Sequence, residues 1–393
     1  MTSIHTFDDE LARLDAVDTA EAIRKGDLSS TEVVAAAIER ARRVEPVANP
    51  VACEDYERAM ATAGRPAAGP FSGVPTFIKD MTDVAGLPTR NGSDAFATAA
   101  PARKTFAIAQ QLFDLGMVGL GKSTLPEFGF TPSPEFLSGP PTRNPWNLDR
   151  TPGGSSSGAA VLVAAGVVPI AHGQDGGGSL RIPAACNGLV GHKPSRGRLI
   201  PDPHARLLPL KIVADGVLTR TVRDTVAYYQ AAEQIYQPKH MPKLGKVDSP
   251  PERRLRIGAF VESPTGAPID EATRSTHEDT IVLLEGLGHT VVPCSAPVGD
   301  DFADDFIHYW EMLAFFTRYG GKLLFDRSFN SAGLTQMTLG LADGFKSSFR
   351  RTPGAIRRLR HSAATYEAQF TDLALDVVLT PTLTHLPPVL GHL

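Results

Sequence analysis

The stretch Thr151–Arg198 constrains the fold of this chain more than any other part of the sequence. It reads TPGGSSSGAAVLVAAGVVPIAHGQDGGGSLRIPAACNGLVGHKPSRGR, with one serine-bearing glycine loop around Ser155 and a second around Ser179. The longest apolar run of the sequence, Ala159–Ala171, lies between them. This pattern predicts a loop, a short buried helix, a buried strand and a second loop. Because glycines let backbone N–H groups approach a ligand closely, both loops are candidate anion sites, and the alternative is two surface turns.

The rest of the chain alternates helical and strand patterns. The first 65 residues show helical spacing, with Ser29 or Ser30 as an N-cap followed by Glu32. Further helices are predicted at 102–115, 221–233 and 270–287, and strands at 76–78, 117–121, 254–260, 290–293 and 376–382. This alternation predicts an α/β fold with a mixed or parallel sheet.

Three further segments have a predicted structural role. The aromatic-rich run at 302–316 has helical spacing, which favours core packing, and the alternative is that it lines an apolar pocket. Five arginines between Arg350 and Arg360 indicate a solvated helical face rather than an anion site. Residues 196–210 are predicted to form a loop near the mouth of a site.

Composition excludes several classes of protein. The chain is 42% apolar and 21% charged, which is ordinary for a globular protein. Its 39 basic and 43 acidic residues are interspersed, so no nucleic-acid partner is expected. Its three cysteines lack CxxC spacing, which indicates buried thiols in a reducing compartment and no zinc site. The N-terminus lacks a signal pattern, and the apolar run is shorter than the ~18 residues of a membrane span. A cytoplasmic location is therefore expected.

A phosphate-binding pattern occurs outside the central stretch. Gly116–Ser123 matches G-x-x-x-x-G-K-[ST], with Lys122 as its lysine. A nucleotide-binding loop needs a strand before its first glycine and a helix after its last residue. Here the helix precedes the pattern and a strand lies within it. We therefore reject a nucleotide site and keep a phosphate-loop ATPase as a remote alternative.

Ser179 is a candidate nucleophile because it follows Gly176, Gly177 and Gly178. Successive glycine N–H groups can point together at the oxygen of a tetrahedral intermediate. A serine hydroxyl also needs a proton acceptor. His172 and His192 are nearby in sequence, but neither lies in a recognisable triad motif.

Lys79 is the remaining candidate base, acting through Ser155. It directly follows the short apolar strand predicted at 76–78. One interpretation is that it reaches solvent or pairs with Asp80. The other is that burial removes its charge and makes the neutral amine a general base. The residues by themselves leave both interpretations open.

Motifs along most of the chain resemble the amidase signature family of serine hydrolases. The GGSS, D-x-GGS-x-R-x-P and G-x-KP elements match residues 153–156, 175–183 and 191–194. Three further family elements match as Gly73–Asp80, Gly121–Phe128 and Asp376–Thr382. The second of these accounts for the false phosphate loop.

This resemblance implies a catalytic mechanism. Ser179 is expected to form an acyl-enzyme, Ser155 to relay protons from a cis peptide bond, and Lys79 to act as the base. N–H groups from Gly176 through Ser179, including those of Gly177 and Gly178, are expected to form the oxyanion hole. Lysine has an ordinary pKa of about 10.4, so burial must lower that value for catalysis near neutral pH.

The resemblance also implies an architecture. The expected fold is the α/β amidase-signature fold, with a mixed central β-sheet covered by helices on both faces. We expect a single domain over 1–393, made of N-terminal helices (1–65), a catalytic core (66–225) and a second α/β portion (226–393). The strands and final helix that end family members are expected to be missing, which would expose a sheet edge and an apolar patch.

A few positions depart from the family pattern, and other functions stay open. The departures are Ser157, Gly176, Asn187 and His192. The predicted function is cleavage of a small or apolar carboxylic amide to acid and amine, without cofactor or metal. The alternatives are a truncated, inactive or weakly active relative, or the amidase subunit of a tRNA-dependent amidotransferase. The expected partner is a small-molecule amide, and a homodimer is the oligomer considered.

Overall fold

The computed structural model describes residues 2–201, 208–250 and 252–391. Part of the predicted loop at 196–210, namely residues 202–207, lies outside the described residues. The helices are α1 Glu10–Arg13, α2 Ala16–Lys25, α3 Ser30–Ala48, α4 Tyr56–Ala63, α5 Ala107–Asp114, α6 Ser157–Ala164, α7 Arg181–Asn187, α8 Val222–Ile235, α9 Glu271–Gly286, α10 Phe302–Leu324, α11 Gln336–Ser348 and α12 Thr352–Asp372. The strands are β1 Val51–Glu54, β2 Pro75–Lys79, β3 Val118–Ser123, β4 Ile170–Asp175, β5 Val190–Gly191, β6 Ala214–Thr219, β7 Arg256–Ala259, β8 Thr290–Pro293 and β9 Val377–Leu379.

Contacts divide the chain into two compact units. The first comprises the described residues within Met1–Val247, Gly321–Thr335 and Pro387–Leu393. The second comprises those within Asp248–Gly320 and Gln336–Leu386. The organisation as a single domain stays a prediction.

The N-terminal helices form where the sequence predicts them. Ser29 is the N-cap of α3, and a reciprocal pair of hydrogen bonds with Glu32 forms a capping box. The apolar positions of α3 are buried, which confirms its predicted inner face. The short strand β1 was not predicted. It pairs antiparallel with β3.

The first sheet places Lys79 in the interior. Its order is β1-β3-β2, and β2 runs parallel to β3. Every residue of β2 is buried, and Lys79 lies opposite Ser123 on β3. Because neighbouring side chains of a strand point to opposite faces, the lysine projects away from the side taken by Ile78.

The central stretch folds as its pattern predicts. The helix α6 is buried at every position, and β4 follows it as a fully buried strand. Together with β6 and β5, β4 forms an antiparallel sheet in the order β4-β6-β5. The apolar residues of α6 join one core cluster with those of α3. The two serine loops therefore emerge from a rigid, close-packed base.

The second unit contains a parallel sheet in the order β8-β7-β9. The aromatic run at 302–316 is helical as predicted, and its Tyr309 is buried. The arginines between Arg350 and Arg360 are exposed, which confirms the predicted solvated face. The described strands are thus distributed over three short sheets, and the predicted α/β class is confirmed.

Candidate active site

Lys79 ends β2 with an almost completely buried side chain. Its Nζ donates to Ser155 Oγ at 2.7 Å and to Ser156 Oγ at 3.2 Å. Burial disfavours the ammonium form and lowers the pKa of Lys79 to about 7, although the charges of Asp175 and Asp215 act in the opposite direction. Of the two interpretations of this lysine, the geometry favours the buried amine. A large share of it is neutral near pH 7 and can accept a proton.

The loop that carries Ser155 is held by neighbours distant in sequence. Its Gly154–Ser155 peptide bond is cis, as expected. Gly129, at a φ of 69°, leaves room for the hydroxyl, because a Cβ there would lie 2.8 Å from Ser155 Oγ. Asn187, one of the departures from the family pattern, donates at 2.7 Å to the carbonyl oxygens of Pro152 and Pro183. This departure therefore ties the loop to α7.

Ser179 lies in the second loop, directly after β4 and its glycines. The N–H of Ser156 donates to the carbonyl oxygen of Ser179 at 3.2 Å, which joins the two serine loops. Within the described residues, no hydrogen bond engages the Ser179 hydroxyl, and the residue is 9% exposed. The hydroxyl is therefore available to a ligand that enters the site.

Asp175 organises this second loop. It accepts hydrogen bonds from the N–H of Gly178 at 2.9 Å and of Leu180 at 3.2 Å. Arg181 binds it with two nitrogens, at 2.9 and 2.8 Å. Burial by itself would raise the pKa of Asp175, but Arg181 and the two amides outweigh that effect and lower it. The aspartate is therefore a stable anion that shapes the loop.

The engagement of Gly178 corrects one expectation about the oxyanion hole. An N–H that already donates to Asp175 is not free to bind a developing oxyanion, so Gly178 is removed from the predicted donors. The amides of Gly176, Gly177 and Ser179 make no hydrogen bond within the described chain. They are the candidate donors that remain.

Neither nearby histidine is arranged to activate a serine. The ring of His172 accepts the backbone N–H of Lys79 at Nδ1 (3.3 Å) and meets Asp215 Oδ1 with Nε2 at 3.1 Å. The ring of His192 packs edge-on against Tyr229. In the described part of the chain, no hydrogen bond joins either ring to Ser155 or Ser179. This agrees with the sequence argument against a histidine base.

Lys122, the lysine of the false phosphate loop, is buried inside β3. It forms an ion pair with Asp80 at 2.6 Å and donates to Thr89 Oγ1 at 2.6 Å and to the Pro88 carbonyl oxygen at 2.9 Å. A strand here, with its lysine turned inward, cannot cradle a phosphate. The phosphate-loop ATPase alternative is wrong.

A cluster of phenylalanines near the loop that carries Ser155 was not predicted. Its members, which we call the phenylalanine cluster, pack with ring centroids 5.5–6.0 Å apart: Phe96, Phe128, Phe130, Phe325 and Phe329. Two of them, with Met81, line a cavity of about 370 Å³ whose other walls include Asp83, Arg103 and Asp326. A Cβ on Gly129 would lie 3.5 Å from Met81 Sδ and 2.8 Å from Ser155 Oγ, so one residue that lines the cavity lies near the loop of Ser155.

Glu127 contacts the segment near Phe325 and Phe329, the two members of the phenylalanine cluster that are farthest from it in sequence. This buried carboxylate accepts from Ser93 Oγ at 2.6 Å and from the N–H and Oγ1 of Thr335 at 3.0 and 2.6 Å. It therefore anchors the segment that contributes Phe325 and Phe329. The signal for this cluster in the sequence is the Phe128-Gly129-Phe130 run, whose Phe128 ends a family motif.

Two features are absent from the described residues. No group of three or more His, Cys, Asp or Glu side chains in them is arranged to hold a metal ion. None of their helices is both long and apolar enough to cross a membrane.

Comparison with protein families gives one match that spans most of the chain. A model of the family described as Amidase matches residues 32–393. A putative amidase AmiC of Mycobacterium tuberculosis is 46% identical over 400 residues, which cover 100% of this chain and 83% of that protein. A 6-aminohexanoate-cyclic-dimer hydrolase of a Pseudomonas species is 30% identical over 394 residues, covering 96% of this chain and 79% of the relative.

Solved structures show the same architecture. A 6-aminohexanoate cyclic dimer hydrolase in complex with substrate superposes with a TM-score of 0.85 and 27% identity, covering 98% of this chain and 82% of the other. A bacterial aryl acylamidase of the amidase signature family gives 0.83 and 25%, covering 97% and 82%. A glutamyl-tRNA(Gln) amidotransferase component from Thermotoga maritima gives 0.71 with 21% identity, a likeness of fold alone, covering 98% and 82%.

Proposed function

Since the chain belongs to the amidase family and is an amide-cleaving hydrolase, we propose that Ser179 is its nucleophile, Ser155 its proton relay and Lys79 its base. One observation carries this proposal. A buried lysine whose pKa is lowered to about 7 donates at 2.7 Å to the hydroxyl of a serine next to the glycine loop. An amine in this state can take a proton near neutral pH and return it in a later step.

The first half of the reaction forms an ester. Ser179 Oγ attacks the amide carbonyl carbon while its proton moves to Ser155 Oγ, whose own proton moves to Lys79 Nζ. The oxyanion that develops is bound by the free N–H groups of Gly176, Gly177 and Ser179. The new ammonium on Lys79 is stabilised by the negative charges of Asp175 and Asp215. Its proton then returns through Ser155 to the substrate nitrogen, the C–N bond breaks and the amine leaves.

The second half hydrolyses the ester. Water attacks the acyl carbon, and its proton follows the same route to Lys79. The proton returns to Ser179 Oγ as the ester bond breaks, which releases the acid and restores the free enzyme. Every proton taken up by Lys79 is given back in the same half-reaction, so the cycle needs no cofactor.

The cavity next to the phenylalanine cluster supports a substrate with an apolar part. Phe96, Phe325 and Met81 give it hydrocarbon walls, and its volume of about 370 Å³ lies in the range of small-molecule sites. Hexanoyl p-nitroanilide is therefore expected to be cleaved with a lower KM than acetyl p-nitroanilide. Phe325→Ala is expected to reduce that difference and to leave the acetyl substrate nearly unaffected.

The cysteines support a reducing, cytoplasmic setting. Cys53, Cys186 and Cys294 are all unpaired, and burial raises the pKa of each thiol. Such thiols are poorly nucleophilic and are typical of proteins kept reduced. A homodimer and the absence of a nucleic-acid partner stay predictions.

A fluorophosphonate probe tests the proposed site, because it reacts with activated serines. The intact protein is expected to be labelled at Ser179, as read by peptide mass spectrometry, and Ser179→Ala is expected to lose both the label and amide hydrolysis. His172→Ala is expected to lower hydrolysis without abolishing it. Labelling at another serine, or hydrolysis by folded Ser179→Ala, would contradict the assignment.

A further inference from the structure

A cluster of buried polar side chains near Lys79 neither takes up nor gives back a proton in the route described above. His172 and Gln174 lie two residues apart on β4, and both reach Asp215 on β6. Asp215 Oδ1 lies 3.1 Å from His172 Nε2 and accepts from Gln174 Nε2 at 3.0 Å. The register of the sheet explains the contact between Gln174 and Asp215, because these two residues lie directly opposite each other. All three side chains are at most 5% exposed.

The contacts of His172 determine which of its nitrogens carries the proton. A backbone N–H can only donate, so the Nδ1 atom that faces the Lys79 N–H at 3.3 Å has to be unprotonated. The ring proton is then on Nε2, where it is donated to Asp215 Oδ1. An imidazolium would place a second N–H against that of Lys79. The ring is therefore a neutral bridge between the lysine backbone and the aspartate.

This neutral bridge leaves the charge of Asp215 uncompensated. Both groups that donate to Asp215 Oδ1 are neutral, and no lysine or arginine forms an ion pair with it among the described residues. Asp175, the other carboxylate that acts on Lys79, differs because Arg181 binds it directly. Asp215 is thus an unpaired negative charge close to the amine.

The surroundings of the Lys79 amine contain few charges. Its contacts are the hydroxyls of Ser155 and Ser156. Asp175 and Asp215 both favour its ammonium form, against the effect of burial. The adjacent Asp80 is paired with Lys122. Asp215 is therefore the one group near the amine whose charge can be removed without breaking an ion pair in the described structure.

We infer that His172 and Asp215 are positioning residues for Lys79: the ring holds the lysine by its backbone amide, and the carboxylate supplies the charge that stabilises its ammonium form between proton transfers. This inference rests on the proposed role of Lys79 as base. Among the described residues, neither side chain forms a hydrogen bond with Ser155 or Ser179. Their effect is expected on the pH at which the lysine works, rather than on the presence of the nucleophile.

The Asp215→Asn variant separates the effect of the negative charge from the effect of the hydrogen bonds. Its Oδ1 can still accept from His172 and Gln174, so the bridge is kept while the negative charge is lost. Without that charge the ammonium form of Lys79 is less favourable, and its pKa decreases. We expect the pH midpoint for fluorophosphonate labelling of Ser179 in the full-length protein to move down by about 1 unit from the wild-type value.

Asp224→Asn is the matched control. Asp224 is also a buried aspartate of the same unit, and it accepts from the N–H groups of Ala16 and Val17 at 2.9 and 3.0 Å. It does not contribute to the charge environment of Lys79. This variant is expected to lower the melting temperature and to leave the labelling midpoint unchanged. An unchanged midpoint in folded Asp215→Asn, or an equal shift in both variants, would overturn the inference.

Two variants of His172 test the bridge. His172→Gln places an amide oxygen that can accept the Lys79 N–H, whereas His172→Phe fills the space without an acceptor. We expect the Gln variant to be labelled at least about tenfold faster than the Phe variant. This ratio corresponds to a difference of ~1.4 kcal/mol in the barrier. Equal rates in the two folded variants would contradict the bridge.

Nitrogen NMR of the unaltered protein gives a test that does not depend on a variant folding. The His172 ring is expected to show Nδ1 unprotonated and Nε2 protonated, and the opposite tautomer would refute the argument. The proposed function and the role of Asp215 can be disproved separately. Wild-type protein that is not labelled at Ser179 disproves the proposed function. Labelling with an unmoved midpoint disproves only the role of Asp215.

Discussion

Two buried lysines on neighbouring strands have opposite electrostatic surroundings. Lys79 ends β2 and Lys122 lies on the adjacent β3, and neither side chain is more than 1% exposed. Lys122 meets the carboxylate of Asp80 at 2.6 Å. Among the described residues, the Lys79 amine forms hydrogen bonds only with hydroxyl groups, and the carboxylates that influence it act from a greater distance. The same residue type is thus held as an ion in one place and prepared to lose its proton in the other.

This difference shows that burial does not by itself determine the role of a lysine. Taking an ammonium out of water is costly, and a directly contacting carboxylate offsets much of that cost. Where hydroxyls replace the carboxylate, the cost remains and appears as a lowered pKa. Lys122 is therefore predicted to support the fold, and Lys79 to support the chemistry. The following predictions test this division.

The largest effect is expected when Lys79 is replaced by methionine. Removal of the base should lower kcat/KM for hexanoyl p-nitroanilide by about 10³–10⁴-fold, because the Ser179 proton then has no acceptor. The free energy of unfolding should fall little, since no charged partner is left unpaired. The comparison of the two lysines fails if the folded variant keeps more than about a tenth of the wild-type activity.

Lys122→Met is expected to act on stability instead. It leaves the carboxylate of Asp80 buried without its cation, which typically costs about 3–5 kcal/mol. Urea unfolding followed by circular dichroism measures this loss. The double variant with Asp80→Asn should recover part of it, because no unpaired charge remains. A folded Lys122→Met protein as inactive as Lys79→Met would assign the two lysines the same role.

The pH dependence of kcat/KM is expected to report Lys79. Activity should be constant above about pH 7 and fall about tenfold per unit below it, as the amine of pKa about 7 becomes protonated. The free energy of unfolding should also increase with pH. The pKa is lower in the folded than in the unfolded chain, so the contribution of Lys79 to stability increases as pH rises from about 7 towards about 10. An activity profile without an inflection between about pH 6 and 8 would argue against this base.

The smallest effect is expected for Ser156→Ala. Ser156 is the weaker of the two acceptors of the Lys79 amine, at 3.2 Å against 2.7 Å for Ser155. Loss of one such hydrogen bond typically costs about 0.5–1.5 kcal/mol, so kcat/KM should decrease by about two- to tenfold. Ser155→Ala is the matched comparison and should lower kcat/KM far more. Equal losses would remove the distinction between relay and support.

Much of the fold could be predicted because its signals are local. Ser29 caps α3 and Thr221 caps α8 where the sequence indicates, and α6 and β4 occupy the apolar run between the serine loops. The unpredicted β1 has only four residues and depends on pairing with β3. Local pattern is weak evidence for a strand whose existence depends on a distant partner.

The candidate site was predictable in its residues but not in its contacts. Glycine and serine spacing indicated the loops, and family resemblance indicated Lys79. Two features escaped prediction: the bridge from His172 to Asp215 and the phenylalanine cluster. Each joins residues whose contact depends on the folding of the chain around them.

The sequence by itself determined which chemical groups are present and which local structures carry them, because capping, glycine turns and apolar periodicity act over a few residues. Tertiary structure decided what those groups can do. Lys79 and Lys122 look alike in sequence, since each precedes a polar residue at the end of an apolar strand. They differ because folding brings Asp80 to one and the loop of Ser155 to the other, and the protonation of a buried amine depends on its neighbours in space.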